Sequence, residues 1–291
     1  FGIMSKNILI DTTNNIETRI AVTEEGKLDD FEIEPNKKNA VKGDVYLAKI
    51  TRIEPSLQAA FVDFGTNRNG FLPLTEIHPD YFKIPSADEE EIKKLYEKIY
   101  IEKEEELQNI DSTNDLEETE DENIELKSDE ISDTKEEKTI SVKKRKYKKL
   151  SPRKEYFNFF KKYKIQDVIR PKQVLLIQIN KEERGLKGAA LTTYLSFAGR
   201  YCVLMPNSIN SDGISRKIGD IEERKKLKKI LSSVEIPEKM SVIVRTAGIG
   251  KTKKEISKDL SFLVKQWNKI REVTLKSEAP EIIHEEGNIL K

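Results

Sequence analysis

The sequence predicts an α+β chain organised around a five-stranded barrel of the OB type. Three observations carry this. Five short β-rich runs broken by glycine turns lie between Val45 and Leu195, the strand count of such a barrel. A long, highly charged stretch without glycine interrupts them, with β pattern on both sides. After Gly199, strand and helix patterns alternate. These patterns divide the chain into residues 1–39, 40–193 and 194–291, with the interruption at about 87–164 expected to be disordered.

Taken in order, Ile8-Leu9-Ile10, Thr18 to Val22 and Phe31-Glu32-Ile33 read as strands, with Glu25-Gly26 as the hairpin turn between the last two. Three strands with so little sequence cannot bury a core alone and need a partner element. Val45 to Ile50, Ala59 to Phe64, Phe71 to Leu74, Val174 to Ile179 and Ala189 to Leu195 are the barrel strands. Within the interruption, acidic residues outnumber basic ones 22 to 7 between Asp88 and Lys138. So few apolar positions do not offset the entropy of ordering, although Glu91 to Gln108 has some helical character. Lys143 to Lys164 reverses the sign, with 11 Lys/Arg and six Tyr/Phe interleaved. Three readings stand side by side: a run that stacks on single-stranded bases, one that folds back on the acidic run, or a solvated linker. Beyond it, Tyr201 to Met205 and Ser241 to Arg245 are strands, and Ile221 to Ser233 and Lys253 to Leu275 are helices. Ile256, Leu260, Leu263, Val264, Trp267 and Ile270 fall on one helical face, which makes Trp267 a core residue.

Composition excludes several classes. Lys+Arg and Asp+Glu both total 52 in 291 residues, so the net charge is zero and the imbalance is local. One cysteine, Cys202, rules out a disulfide framework and a cysteine-based zinc site within the chain, and its apolar neighbours mark a buried thiol. No run of 18 apolar residues spans a membrane, and no secretory signal precedes Met4, a candidate start. A cytoplasmic protein is expected.

Chemistry concentrates in two places. Val242 to Thr252 runs from an apolar strand through a glycine turn into a helix, a setting for an anion. The unpaired N–H groups at the helix start and its positive dipole end are expected to point outward. Arg245 adds a bidentate fork and Thr246 a hydroxyl. A nucleotide-triphosphate loop would need glycine where Arg245 stands, so the pattern fits one terminal phosphate rather than ATP. A plain capped turn with a solvated Arg fits the same residues. On the barrel, alternation leaves either Phe61 or Phe64 outside, with Phe71 one turn later and Lys187 on a tight loop. An outward Phe would be a base-stacking platform; the alternative is that every Phe is core.

The residues now become recognisable. Ile50 to Leu57 with Ala59 to Gly65, Lys181 to Thr193, Leu204 to Asn207, Gly213 to Arg216, Val244 to Lys251, Asp259 to Phe262 and Ile283 to Glu286 resemble segments of the bacterial ribonuclease E/G family, nearer its E branch. The similarity runs from about Ile8 to Lys291 outside the charged interruption. It implies an incomplete RNase H-like subdomain at 1–39, an RNA-binding barrel of the S1 type at 40–193 and a 5′ sensor at 194–291. By the resemblance, Arg245 and Thr246 grip a 5′-monophosphate. Gly199 and Val203 pack around the terminal nucleotide, with Arg216 a supporting candidate. Phe61, Phe71 and Lys187 contact single-stranded RNA, so Phe61 faces outward and Phe64 inward.

The family cleaves RNA in a downstream domain, with Mg²⁺ held by two aspartates, and dimerises through zinc on a Cys-Pro-x-Cys motif. This sequence shows neither, so no catalytic or metal-binding residue is assigned, and a homo-oligomer is expected only with the missing nuclease part. The family can associate peripherally with the inner membrane. The alternatives are a stand-alone RNA-binding regulator and the remnant of a truncated gene, with an aggregation-prone edge near Ile8 to Ile10.

Overall fold

The computed structural model describes residues 6–13, 17–35, 41–109, 151–185, 187–208, 213–237 and 239–286. Met4, the middle of the charged interruption and the first part of the basic–aromatic run lie outside these residues. Strands β1 (Lys6–Asp11), β2 (Glu17–Glu24) and β3 (Lys27–Pro35) form an antiparallel sheet in that order. Glu25 and Gly26 turn between β2 and β3 with φ of 51° and 78°, the left-handed pair a tight hairpin needs. This sheet buries little: Ile8, Leu9 and Ile10 stay 66%, 58% and 52% exposed, as the shortage of core-forming sequence implied.

The barrel strands are β4 (Val45–Glu54), β5 (Ala59–Asp63) and β6 (Gly70–Pro73), then helices α1 (Ser86–Asn109), α2 (Pro152–Phe160) and α3 (Ile165–Val168), and finally β7 (Val174–Lys181) and β8 (Ala190–Thr192). Pairings run β4–β5–β6–β8–β7 and back to β4, closing a five-stranded barrel in which only β6–β8 is parallel. Ala60, Val62 and Phe64 point inward with Ile50, Leu72, Ile177 and Leu191, and Ile165 and Val168 of α3 join that core. Gln58 ties α3 in place, since its Oε1 accepts the Ile165 N–H at 3.0 Å while its Nε2 donates to the Pro55 carbonyl at 2.7 Å.

The disorder expected over 87–164 is corrected at both ends. α1 and α2 lie antiparallel, with Leu95, Ile99, Tyr156 and Phe160 burying one another. Lys162 pairs with Asp88 at 3.1 Å, the Tyr163 hydroxyl donates to the same carboxylate, and Arg153 faces Glu102 at 4.0 Å. Of the three readings of the basic–aromatic run, its described part folds back on the acidic run, and Tyr156 and Phe160 are core rather than base platforms. The arm also touches the second half of the chain, where the Lys239 N–H donates to the Tyr100 hydroxyl at 3.2 Å.

That second half contains β9 (Phe197–Ala198), β10 (Cys202–Met205), β11 (Gly213–Ile214), α4 (Ile221–Ser232), β12 (Ser241–Val244), α5 (Lys253–Thr274) and β13 (Glu281–His284). The sheet order is β11-β12-β10-β9, and α4 and α5 cover one face with Leu227, Leu231, Ile256, Leu260 and Leu263. Cys202 is enclosed there, and burial pushes its thiol up to about 12. Trp267, partly buried, packs against this core with its ring 6.0 Å from that of Phe197. β13 returns to pair with β4, and Val45 and Leu176 of the barrel belong to this second core. Barrel and sheet are thus joined by both hydrogen bonds and packing.

His78 sits at the junction. Its Nδ1 accepts the Asp80 N–H at 3.2 Å, its backbone N–H donates to the Thr193 hydroxyl at 2.6 Å, and its ring lies edge-on to Tyr194 at 5.2 Å. Burial pulls its pKa below the ordinary value, against the opposing pull of Asp80 and the Asn207 backbone. Below about pH 6.5 the unfolded chain therefore takes up a proton that the folded chain refuses, so stability falls as pH drops, by at most about 1.4 kcal/mol per unit. Melting temperature between about pH 7 and 5 should fall more steeply for the native chain than for His78→Gln.

Candidate nucleic-acid interface

One face of the barrel carries the aromatic residues singled out in the sequence. Alternation along β5 buries Val62 and leaves Phe61 half-exposed, directly opposite Phe71 on β6. The two rings meet edge to face at 6.1 Å. Arg52, paired with Phe61 across β4–β5, holds its guanidinium 4.7 Å from the Phe61 ring centre. Sequence reasoning gave Arg52 no role; its signal was the register, which only the bulge between Ile50 and Arg52 reveals. Thr51 donates to the Phe61 carbonyl at 2.9 Å and accepts from Asn69 at 3.1 Å, which firms up the strand behind the ring.

Lys187 is exposed on a hairpin whose Arg184 and Lys187 exchange backbone hydrogen bonds at 3.2 and 3.0 Å. Arg68 donates to the Gly185 carbonyl and brings that loop against the 65–70 loop. Phe61, Phe71 and Lys187 are therefore carried by neighbouring elements, with Arg52 and Arg68 adding charge. A rim of two rings and several cations can stack bases and neutralise phosphates together.

The second candidate lies at one end of the β11-β12-β10-β9 sheet. Tyr201 and Arg245 face each other across β10 and β12, where the Arg245 N–H donates to the Tyr201 carbonyl at 2.8 Å. Arg245 Nη1 donates to the Gly199 carbonyl at 2.5 Å, leaving the rest of the fork outward, and Thr246 beside it is exposed. Val203 shares the half-open face of the sheet with Tyr201. Arg216 is exposed just past β11, which runs parallel to β12 and ends at the same level. Arg224 steadies the loop that bears it by donating to the Ser215 and Ile218 carbonyls at 3.1 and 3.2 Å. Gly199, Arg245 and Thr246 thus come together, Val203 sits farther along the same face, and Arg216 stands on the neighbouring strand.

One expectation is corrected here. The dipole end of the helix after the glycine turn is not open, because α5 starts only at Lys253 and is capped by Thr252 and Glu255 in a reciprocal box. The Glu255 carboxylate accepts the Thr252 N–H at 2.9 Å, and that bond holds its pKa below the usual carboxylate range. A single 3₁₀ turn, Thr246–Gly248, intervenes instead. An anion at this place would be gripped by side chains rather than by a long helix.

Asp259 of α5 is the residue that organises the pocket; the sequence reading placed it in a family-like segment but gave it no role. Its carboxylate accepts the N–H groups of Arg200, Tyr201 and Cys202 at 3.1, 2.8 and 3.0 Å. A Cβ at Gly199 would stand 2.7 Å from that carboxylate, so a side chain there would push Asp259 off its three bonds.

With this geometry in view, the resemblances are specific. Residues 196–291 match the Ribonuclease E/G family and residues 40–115 the S1 RNA binding domain. Ribonuclease E from Buchnera aphidicola subsp. Schizaphis graminum is 35% identical over 98% of this chain, and that from Escherichia coli strain K12 is 36% identical over the same share. The chain spans 22% and 20% of those relatives, about a fifth of their length. Ribonuclease G from Escherichia coli is 26% identical over 92% of the chain, which covers 40% of that protein. An S1-type barrel, joined to the sheet that carries Arg245 and matched along nearly its whole length, makes this chain a member of the ribonuclease E/G family.

Proposed function

We propose that this chain is the RNA-holding and 5′-monophosphate-sensing part of a ribonuclease E-like endoribonuclease that processes and degrades single-stranded RNA in the cytoplasm. The observation that carries the reading is the sheet end where Arg245, tethered to Gly199, offers its remaining fork beside the Thr246 hydroxyl. A guanidinium and a hydroxyl match the oxygens of one phosphate. Val203 and Gly199 would line the terminal nucleotide, and Arg216 would add charge from the adjacent strand. On the barrel, Phe61 and Phe71 would stack bases while Arg52 and Lys187 face the phosphates.

Among the described residues no three His, Cys, Asp or Glu side chains converge, and Cys202 is enclosed in the core. Asp63, the carboxylate at the end of β5, accepts the Gly65 N–H at 3.0 Å. Cleavage belongs to the proposal for the longer enzyme.

The test is binding of one single-stranded oligonucleotide carrying a 5′-monophosphate, triphosphate or hydroxyl. Monophosphate should bind best. Arg245→Ala should remove that preference, a loss of about tenfold or more for a charge-assisted contact. Phe61→Ala should weaken all three ends alike, by about 1–3 kcal/mol. Equal affinity of the native chain for all three ends would sink the reading.

A further inference from the structure

The outer face of α5 carries charge that the sites above do not use. Lys254, Lys258, Lys265 and Lys269 are exposed, and at 100° per residue they fall, with Phe262, within an arc of about 80°. The buried residues Ile256, Leu260, Leu263 and Ile270 lie on the opposite side. Both carboxylates in the first half of the helix are engaged elsewhere. Glu255 closes the Thr252 cap and pairs with Lys251 at 3.6 Å, and Asp259 turns inward to the 200–202 backbone. No ion pair engages the four lysines among the described residues, and one exposed carboxylate, Glu272, shares their arc beyond Lys269, which leaves the stripe net positive. Phe262, 57% exposed, occupies the gap between Lys258 and Lys265.

The stripe also begins at the sheet end already described. Lys251 Nζ lies 5.3 Å from the Tyr201 ring centre, and the Arg200 guanidinium 6.0 Å from it. Cations therefore continue from Arg245 past Tyr201 onto α5. From Lys254 to Lys269 the stripe covers about 22 Å. Cations spaced one or two helical turns apart with an exposed ring between them suit an alternating ligand of phosphates and planar bases, rather than an acidic peptide or a lipid headgroup layer.

We propose that this face of α5 is a third RNA contact, a track for the sugar–phosphate backbone of a single strand with Phe262 stacking on a base. It rests on RNA being the ligand, but not on the preference for a monophosphate.

The test uses the full chain and oligouridylates of two lengths, one of two and one of about 16 nucleotides, each with a monophosphate or hydroxyl end. In the variant combining K258Q, K265Q and K269Q, the long oligonucleotide should bind roughly tenfold or more weakly, whichever end it carries. The slope of log affinity against log salt should fall by about 2, from about 0.7 per phosphate contact. The dinucleotide should be unaffected. Phe262→Ala should cost the long oligonucleotide roughly 5- to 150-fold. An unchanged salt slope in the triple variant overturns the proposal. So does loss of binding to phosphatidylserine vesicles with RNA affinity intact, which would make the stripe a membrane surface. Failure of the monophosphate reading shows separately, as a native chain indifferent to the end group but still sensitive to the triple variant.

Discussion

Asp259→Ala should lower the melting temperature by on the order of 10 °C and abolish discrimination between 5′ ends while leaving Arg245 in place. The reason is the number of bonds on one carboxylate. Three consecutive N–H groups, of Arg200, Tyr201 and Cys202, converge on it, and alanine leaves all three without an acceptor at the edge of the core. Hydrogen bonds to a charged group contribute about 1.5–3 kcal/mol each. Discounted for partial exposure, the total is about 3–5 kcal/mol. The same turn holds the Gly199 carbonyl that anchors Arg245, so releasing it lets the fork swing away. Asp259→Asn keeps one acceptor oxygen and should fall between. Melting curves and end-group affinities measured on one preparation decide the matter, and a double-mutant cycle with Arg245→Ala should show strong coupling. Selectivity that survives Asp259→Ala would refute this account of the pocket.

Gly188→Ala should be the most damaging small substitution in the barrel. A Cβ there would lie 2.2 Å from the Asn69 carbonyl oxygen and 3.3 Å from its carbon, and backbone cannot step aside as a side chain can. The approach is close because residues 188–189 lead into β8 while 69–70 lead into β6, the parallel pair that closes the barrel. The Phe71 N–H donates to the Ala189 carbonyl at 2.8 Å across that seam. Prising it apart should cost about 3 kcal/mol or more and should displace Phe71 from the face it shares with Phe61. Gly185→Ala is the control, with φ of 57° but open space around it, and a cost of about 1–2 kcal/mol. Urea midpoints for the two variants should differ clearly, and equal midpoints would show that the seam yields.

Much of the barrel was legible because its signals are local. Alternation in Ala59 to Phe64 and the glycine turns marked the strands, although pattern alone left Phe61 and Phe64 interchangeable. The choice depends on which face closes on Ile177 and Leu191, more than a hundred residues away. The same distance hid the helical arm. Leu95 and Ile99 stand in a strongly charged stretch, and their burial depends on Tyr156 and Phe160, whose run the composition left open between base stacking, folding back and a linker. β13 carries no alternation of its own and is a strand because β4 offers it an edge. At the sensor end, Arg245 and Thr246 stood out by type, while Asp259 looked like any polar position on a helix. What it does depends on a turn 57 to 59 residues earlier.

The antiparallel pair α1 and α2 has a practical consequence. Asp88, Lys162 and Tyr163 act as a clasp at its base, which ties the start of α1 to the stretch after α2. The root of the arm is thus anchored by its own contacts, and loosening it with Asp88→Ala should leave the faces that carry Phe61 and Arg245 in place.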